Sequence, residues 1–331
     1  MTSRFERELR SAHRPRSAAE LAAVGISRDM TRGPRWRRTS RGYFVPAHSG
    51  DLTTAQRILD LAPLIHDTGA LTGWAAAYVH GVDLLDGRDP QSMDPLPITV
   101  QLGRDLGRAS SERVVYRREH LPARDRLTCH GLGVVTQQRA AFDGARFADN
   151  LVEAVAFLDQ VTRVLPVTVA DLASRVIPGA RWSQLAQLQR ALSLADPAAA
   201  NPWESRLRMF ATLRAGLPRP LVNQPVFDVD GHFLGIPDLL EPEAGLVVEF
   251  DGQDHRLRRR HQADNIREEK LETCNLTVCR VDSLDLRQPV ALIERLRARH
   301  AQGMTRDRSK DAWTIEQPLW WPRRVPGSQR G

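Results

Sequence analysis

Three carboxylates in the C-terminal half of the chain have types and spacing that suit metal chemistry. Asp238 belongs to one short apolar run, Glu249 and Asp251 belong to the next, and the break at 241–245 contains the Pro and Gly of a turn. A hairpin would bring the three side chains together, with Glu249 and Asp251 on one face. Like charges this close repel, and a divalent cation such as Mg²⁺ would remove that cost. The pattern therefore predicts a metal site.

A cationic segment follows these strands. It begins at His255 and continues with Arg and His residues over 256–261, and a helix is then predicted over 264–274. Two interpretations stay open: a phosphate-contacting loop beside the metal, or a solvated run of charge. His255 could position a water or contact a phosphate, and Lys270 could reach back from the predicted helix to the carboxylates.

These residues also carry a resemblance to known nucleases. Pro237-Asp238 followed by Glu249-Phe250-Asp251 resembles the PD-(D/E)xK nuclease motif. The order Glu249, His255, Arg-rich helix and apolar strand 276–281 resembles the very-short-patch-repair-like endonuclease domains of domain-of-unknown-function family 559, over roughly residues 200–300. The resemblance implies a restriction-endonuclease-like mixed sheet flanked by helices, with Mg²⁺ or Mn²⁺ as cofactor. The catalytic residues that it implies are Asp238, Glu249, Asp251, Lys270 and His255.

The resemblance implies one further metal ligand, Glu204, and the chain departs from the family's motif at one position, Asp251. It implies that Glu204, on the helix that opens this region, is directed at the metal with Asp238, Glu249 and Asp251. An exposed glutamate stabilised by the helix dipole is the alternative for Glu204. The third motif position usually holds Lys but here holds Asp251, and the chain has only two lysines, Lys270 and Lys310.

Whether the chain is an enzyme stays open on this evidence. The first hypothesis is a DNA-binding protein with a Mg²⁺-dependent endonuclease domain that hydrolyses phosphodiester bonds. The alternative is a non-enzymatic antitoxin-type transcriptional repressor that carries a degenerate nuclease fold.

Residues 1–48 have the pattern of a basic DNA-binding segment. They contain eleven arginines and four acidic residues. Ser17 and Glu20 predict a capping box at the start of a helix that ends at Gly25, and a second helix is predicted from Ser27 to about Arg32. Residues 36–45 predict a two-stranded ribbon with a basic tip. Helix, turn, helix and ribbon together indicate a winged helix-turn-helix.

This segment resembles the N-terminal domain of AbiEi-family antitoxins. The resemblance implies DNA as a partner, with Arg28 and Arg32 on the recognition helix. It implies phosphate contacts from the ribbon, made by Arg35, Arg37, Arg38 and Arg41. A solvated basic face is the alternative. A partner toxin or a homodimer would also be consistent with this family.

The remaining chain completes an α/β fold, α+β overall. The predicted domains are a winged helix-turn-helix (1–48), an AbiEi-like mixed middle domain (49–196), an endonuclease-like domain (197–303) and a Pro/Arg/Trp tail (304–331). The Asp196–Pro202 segment is the predicted boundary. In the middle region Thr136 is predicted to cap a helix that Asp143 ends, with no catalytic role for either.

Composition favours a polyanionic partner. The formal net charge is +7 and the pI is about 10.1, and the excess is nearly all Arg, whose planar fork suits phosphate. Three cysteines have neither disulfide-framework nor zinc spacing. Charged residues near the N-terminus interrupt any signal peptide, and nothing approaches membrane-spanning length. The expectation is a cytoplasmic protein without a membrane partner.

Overall fold

The structure of the chain, a computed structural model, describes residues 2–47, 52–65, 67–102, 108–176, 182–251 and 268–322. It has the mixed α/β character that the sequence predicts. The chain divides into two compact units, Met1–Leu194 and Ala195–Gly331. The division falls two residues before the predicted boundary. Residues 1–48 and 49–194 belong to one unit, although the sequence predicts separate domains over 1–48 and 49–196.

The first unit begins with two short helices and a small sheet. The predicted capping box of Ser17 and Glu20 is present at the start of α2, and Gly25 follows that helix with φ +83°. The predicted ribbon is β2 paired antiparallel with β3, and β1 pairs with the other edge of β3. The elements are α1 (Arg4–Leu9), β1 (Arg16–Ser17), α2 (Ala18–Ala23), β2 (Trp36–Ser40) and β3 (Tyr43–Pro46).

The predicted second helix is wrong in its extent. Only Met30–Arg32 forms a turn of 3-10 helix. Ser27 does accept a hydrogen bond from the Met30 N–H, but Gly33-Pro34 follows before a full α-helical turn can form. A recognition helix of ordinary length is therefore not present at this position.

A five-stranded sheet is the centre of the first unit. Its order is β6-β5-β4-β8-β7, with β4 parallel to β8, β5 parallel to β6 and the other pairs antiparallel. Phe5 of α1 lies in the same buried cluster as Ile58 and Tyr78, so the N-terminal segment shares this core. The strands are β4 (Ala70–Thr72), β5 (Ile98–Gln101), β6 (Val114–Arg117), β7 (Arg126–Cys129) and β8 (Leu132–Val135).

Helices cover this sheet and continue to the end of the unit. The helix α5 packs against α4 and α6, and α6 packs against α8. The helices are α3 (Thr54–Leu59), α4 (Gly73–Val79), α5 (Gln137–Phe147), α6 (Leu151–Val164), α7 (Val169–Ser174) and α8 (Leu185–Leu194).

The second unit is built on a four-stranded mixed sheet. Asn201 caps α9 (Pro202–Met209), Pro202 lies in its first turn, and a π-helical turn Phe210–Arg214 follows. The strands are β9 (Leu221–Val222), β12 (Leu239–Glu241), β13 (Leu246–Asp251) and β14 (Thr277–Asp282). The sheet order is β14-β13-β12-β9, antiparallel except for the parallel pair β13 and β14. A parallel pair requires a crossover connection.

Helices flank both faces of this sheet, as predicted. On one face, α9 and α11 (Pro289–Met304) contribute Leu207, Leu292 and Leu296 to a buried cluster with Leu246 and Val248. On the other face, α10, which is helical over 268–273 within the described residues, contributes Leu271 to a cluster with Val247 and Val278.

The sequence pattern also predicts a three-stranded meander of residues 221–228, 233–240 and 246–250, and this prediction is wrong because each of the first two strands is broken. Residues 221–228 form β9 and then β10 (Val226–Asp228), and residues 233–241 form β11 (Phe233–Gly235) and then β12. Asn223, with φ +49°, and Pro237, which has no N–H to donate, lie in the two breaks. The strands β10 and β11 therefore belong to a second sheet of order β11-β10-β15.

Part of the predicted tail belongs to this second sheet. The strand β15 (Trp313–Thr314) pairs antiparallel with β10. Trp321 stacks on Phe233 with ring centroids 4.9 Å apart and meets Phe227 edge-on at 5.1 Å. The chain up to residue 322 is thus part of the folded second unit.

The three cysteines form no disulfide. Cys274 and Cys279 are buried in the second unit, and Cys129 is half-buried in the first. Burial raises the pKa of all three thiols, in Cys279 against the opposing effect of Arg295 and Arg299. Within the described part of the chain, no helix has both the length and the apolar character needed to cross a membrane.

Candidate functional site

The β12–β13 hairpin places Asp238 beside Glu249, as the sequence predicts. Leu239 pairs with Val248, so Asp238, which immediately precedes β12, lies opposite Glu249. The Phe250 N–H donates a hydrogen bond of 2.7 Å to Asp238 Oδ2. This contact fixes one carboxylate oxygen against the backbone of the neighbouring strand, and both side chains are half-buried.

Strand alternation divides β13 between two environments. Phe250 points to the cluster under α9, where its ring stacks on Trp203 with centroids 5.1 Å apart and planes 8° from parallel. Glu249 and Asp251 point to the opposite face, which agrees with the predicted alternation. Asp251 is exposed at the end of the strand and pairs in register with Asp282 of β14. The stack fixes the backbone from which Glu249 projects.

Glu204 lies in the first turn of α9, which Asn201 caps. Its Oε2 accepts hydrogen bonds from the Ala200 N–H (2.6 Å) and Asn223 Nδ2 (2.7 Å), and its Oε1 accepts one from Asn201 Nδ2 (2.6 Å). The residue is 4% exposed, so the alternative of an exposed glutamate is wrong. Its two oxygens are held by three donors, and the role that the geometry supports is structural. The resemblance-derived role of metal ligand does not fit this arrangement.

The predicted carboxylate cluster does not close into a three-ligand site. Among the described residues, one group of three acidic or histidine side chains has its ligand atoms within 4.8 Å of one another, and it consists of Asp228, Asp230 and His232. Asp238, Glu249 and Asp251 do not form such a group. The pair Asp238 and Glu249 is what the hairpin brings together.

The Asp228 group is a hairpin turn between β10 and β11. Asp228 Oδ1 accepts from the N–H groups of Asp230 and His232, and Oδ2 lies 2.9 Å from His232 Nδ1. The backbone hydrogen bond from His232 lowers the pKa of Asp228, with its side chain adding to the effect. The arrangement is explained by the turn, and its two distal members, Asp230 and His232, are exposed.

The predicted cationic partners have different positions. Lys270 is exposed on α10, whose Leu271 packs on the same sheet face that carries Glu249. His255 and the arginines that follow it lie outside the described residues.

Arg280 and Asn223 are two neighbours of the site that the sequence analysis did not single out. Arg280 is the in-register partner of Glu249 on the parallel strand β14, and its Nη2 lies 2.7 Å from Glu268 Oε2 on α10. Asn223 donates to Glu204 from its side chain and to the Asp238 carbonyl from its N–H (3.1 Å). A charged residue within an otherwise apolar strand is the signal that could have identified Arg280. No comparable signal marks Asn223.

Five of the six arginines predicted to contact DNA are exposed: Arg28, Arg32, Arg35, Arg38 and Arg41. Arg32 lies 3.5 Å from the exposed Asp29, and Arg38 Nε donates to the Ser40 carbonyl. These residues occupy the 28–32 turn and the ribbon, which gives this end of the first unit a strongly basic surface.

Arg37 has a different position from the other five. Its Nη1 and Nη2 make a bidentate pair with Asp60 at 2.6 and 2.9 Å. Asp60 is fully buried and also accepts from Gln56 Nε2 at 2.8 Å. Arg37 therefore anchors the ribbon to the end of α3, and the predicted phosphate contact is replaced by a structural one.

A buried ion network crosses the middle of the first unit. Asp143 is fully buried and accepts from Arg139 Nε (2.9 Å), Arg146 Nη2 (2.7 Å) and the Thr72 hydroxyl (2.8 Å). Thr136 caps α5 as predicted, but the helix continues past Asp143 to Phe147, so the predicted end is wrong. The network joins α5 to β4, which supports the structural role expected for these residues.

Two acidic residues extend this network, the buried Asp125 and the half-buried Glu119. Burial alone would raise the pKa of Glu119, but Arg146, whose Nη2 lies 2.6 Å away, lowers it below its ordinary value. The same holds for Asp125. Burial alone would raise its pKa, but Arg175, whose Nη2 lies 2.7 Å from Asp125 Oδ1, lowers it below its ordinary value. Both carboxylates are therefore stabilised in the charged form by the fold.

Comparison with known proteins identifies no relative. No family model, no curated protein and no solved structure matches this chain. Function must therefore be argued from the geometry of the sites themselves.

Proposed function

We propose that the chain is a DNA-binding protein whose second unit is a divalent-metal-dependent endonuclease acting on DNA phosphodiester bonds. One observation carries the proposal: Asp238, just before β12, lies opposite Glu249 of β13, in a sheet with the parallel strand β14 and with helices on both faces. This arrangement agrees with the restriction-endonuclease-like sheet that the sequence resemblance implies.

The residues of the pair fit a magnesium site. Mg²⁺ is commonly held by one or two protein carboxylates, with waters and substrate phosphates completing its shell. Asp238 and Glu249 would be those ligands, and Asp251 lies on the same face at the end of the strand. When bound, the metal lowers the pKa of a coordinated water and offsets charge on the phosphate.

A cation next to the pair takes the place of the missing motif lysine in this proposal. Arg280 is the register neighbour of Glu249, and neighbouring strands lie about 4.8 Å apart. Its guanidinium would stabilise the negative charge that develops on the phosphate, and Lys270 on α10 is the second candidate for this role.

The first unit supplies the DNA affinity in this proposal. The exposed arginines of the 28–32 turn and the ribbon would neutralise backbone phosphates and release counterions. Because the 28–32 segment forms only a short 3-10 turn, contacts to phosphate dominate over contacts to bases.

Plasmid nicking by the full chain with Mg²⁺ or Mn²⁺ tests the enzymatic proposal. We expect nicking by the wild type and a loss of at least about 100-fold in Asp238→Asn and Glu249→Gln, since each removes one negative ligand. The matched control is Asp230→Asn, which alters the exposed turn group and should keep full activity. Activity that depends on Asp230 rather than on Asp238 would move the metal site to the β10–β11 turn.

A specific observation favours a second candidate function, that of a non-enzymatic DNA-binding repressor. Asp251 replaces the motif lysine, and Asp238, Glu249 and Asp251 do not gather into a three-ligand group. Calorimetric titration with Mn²⁺ separates the two functions. Metal binding without cutting supports the repressor, and Asp251→Lys would then be expected to restore nicking. A wild type that neither binds metal nor cuts excludes the endonuclease.

The DNA-binding part has its own measurement. The double variant Arg38→Gln/Arg41→Gln should reduce the slope of log affinity against log salt by about two, because each lost phosphate contact changes it by about one. Arg118→Gln, which alters an exposed arginine elsewhere in the first unit, is the control and should leave the slope unchanged. Equal slopes for all three proteins would exclude the ribbon as the contact surface.

A further inference from the structure

A pocket of about 490 Å³ lies in the first unit, where β2, α3 and the 88–98 segment meet. Leu61 and Ile98 are buried apolar residues of its lining. The charged residues of the lining are five arginines and one glutamate: Arg37, Arg38, Arg57, Arg88, Arg113 and Glu112. The lining therefore has an excess of positive charge.

The positive charge of the pocket is only partly compensated. Asp60 forms ion pairs with Arg37 at 2.6 Å and with Arg113 at 3.5 Å. Over the described ranges of the chain, no carboxylate oxygen lies within the 4.0 Å salt-bridge distance of Arg38, Arg57 or Arg88. Three arginines of the lining, Arg38, Arg57 and Arg88, therefore have backbone carbonyls but no carboxylate as partners within these ranges; Arg88 Nη1 donates to the Met93 carbonyl at 3.0 Å.

Arg57 is held in place by the protein. Its Nη1 donates to the Gly87 carbonyl (3.0 Å) and its Nη2 to the Leu96 carbonyl (2.6 Å), and its guanidinium lies 5.4 Å from the Trp74 ring centroid. Gly87 has φ +70°, and a Cβ there would fall 2.2 Å from the Trp74 ring, so this geometry requires glycine. The arginine is thus positioned before any ligand arrives.

The charges around the pocket also destabilise each other. Burial lowers the pKa of Arg57. The positive charges of Arg88 and Arg113 lower this pKa further, whereas the negative charge of Asp86 raises it. Asp86 itself lies 3.7 Å from Arg4. An anion in the pocket would offset this repulsion, which gives it a favourable binding term that a neutral ligand lacks.

We propose that this pocket binds a phosphate group, either on a free phosphorylated small molecule of nucleotide size or on a nucleic acid. The planar arginine fork matches phosphate oxygens, and the volume lies in the range of about 300–1,000 Å³ that is common for small-molecule sites. Leu61 and Ile98 would contact the organic part of the ligand. Apart from Arg38, none of the exposed arginines assigned to DNA binding lines this pocket, so the site is additional to the proposed function.

Calorimetric titration of the full chain with 5′-AMP, inorganic pyrophosphate and a short DNA duplex tests the proposal. We expect Arg88→Gln to weaken binding of the phosphate-bearing probe by about tenfold or more, the loss typical of one charge-assisted contact. Arg38→Gln is the second variant and is compared on 5′-AMP and pyrophosphate only, because Arg38 also belongs to the ribbon; it should weaken these probes, and its side chain is exposed, so the core stays intact. Arg118→Gln is the matched control, and thermal melting checks that each variant is folded.

The outcomes separate the two sources of phosphate. If 5′-AMP or pyrophosphate binds and Arg88→Gln weakens it, the ligand is a small molecule. If only the duplex binds and Arg88→Gln weakens it relative to Arg118→Gln, the phosphate belongs to nucleic acid. If Arg88→Gln leaves every probe's affinity equal to that of Arg118→Gln, the pocket is not a phosphate site. This last result leaves the ribbon and the carboxylate pair untouched.

Discussion

At the scale of single residues, Asp60 has the clearest consequence for stability. It is fully buried, and its partner Arg37 is 27% exposed in side-chain terms. Asp60→Asn should lower the free energy of unfolding by about 3 kcal/mol, because it leaves a desolvated arginine without its counter-charge. Arg113→Ala should lower the free energy of unfolding by less than about 1 kcal/mol, since the Arg113 side chain is 57% exposed and its Nη2 lies 3.5 Å from Asp60 Oδ2. Urea denaturation compares the two variants, and equal losses would contradict the anchoring role of Arg37.

The buried ion network predicts a pH dependence of stability. Arg146 and Arg175 hold the pKa values of Glu119 and Asp125 below their ordinary range, despite burial. A carboxyl with a lowered folded-state pKa stabilises the fold at pH values above its unfolded pKa, about 4 for these residues, and this contribution is lost as pH falls further.

The measurement is the urea midpoint between neutral pH and about pH 3. Glu119→Gln should be less stable than the wild type at neutral pH and should lose less stability on acidification. Glu112 is an exposed residue of the same unit, and the urea midpoint of Glu112→Gln should depend on pH as that of the wild type does. Parallel curves for wild type and Glu119→Gln would show that this carboxylate contributes nothing to acid sensitivity.

At the scale of secondary-structure elements, a close approach between α11 and the β12–β13 turn reverses an ordinary rule. Replacing a helical glycine by alanine usually stabilises a helix by up to about 1 kcal/mol. A Cβ at Gly303 would fall 2.1 Å from the Ala244 carbonyl oxygen. Gly303→Ala should therefore destabilise the second unit by about 1–3 kcal/mol, the usual cost of overpacking.

The neighbouring residue gives the control for this prediction. Gln302 is exposed on the same helix, and Gln302→Ala should change the free energy of unfolding by no more than about 0.5 kcal/mol. Thermal melting of both variants makes the comparison. A stabilised Gly303→Ala would mean that α11 and the turn are not in contact in solution.

Local signals in the sequence predicted two helix starts correctly, but they predicted neither the end of α5 nor the extent of the helix after Ser27. The caps at Ser17 and Thr136 are where their side chains predict them, because capping depends on a few adjacent residues. The strand breaks at Asn223 and Pro237 were missed, since apolar runs on both sides conceal a change of sheet. Pairing between distant strands is set by packing and leaves little local trace.

The candidate site was predictable only in part, for a related reason. Asp238 and Glu249 follow from strand pairing across one short turn, which a local pattern reveals. A local pattern does not reveal the partners of Glu204 and Arg37, because they are distant in sequence. Asn223 is 19 residues from Glu204, and Asp60 is 23 residues from Arg37. The basic composition of the segment predicts that Arg37 is a surface cation. Its structural role instead follows from its ion pair with the buried Asp60 at the end of α3.

The second unit has two buried hydrophobic clusters of its own, one on each face of its four-stranded sheet. Residues 195–331 expressed alone should therefore unfold cooperatively in urea. Ala199 is fully buried in one of these clusters, so a fragment that begins at residue 201 should be less stable than one that begins at 195. Denaturation curves of the two fragments make the test, and a broad, non-cooperative transition in the longer one would contradict the assigned unit.

The placement of the three thiols supplies a natural reporter of unfolding. Cys129 lies in the first unit, and Cys274 and Cys279 lie in the second, all with pKa values raised by burial. Thiolate is the reactive form, so modification of the native protein at neutral pH should be slow and should accelerate when the surrounding unit opens. Timed alkylation followed by peptide mass analysis would then measure the opening rate of each unit separately, in the wild-type chain and without an introduced label.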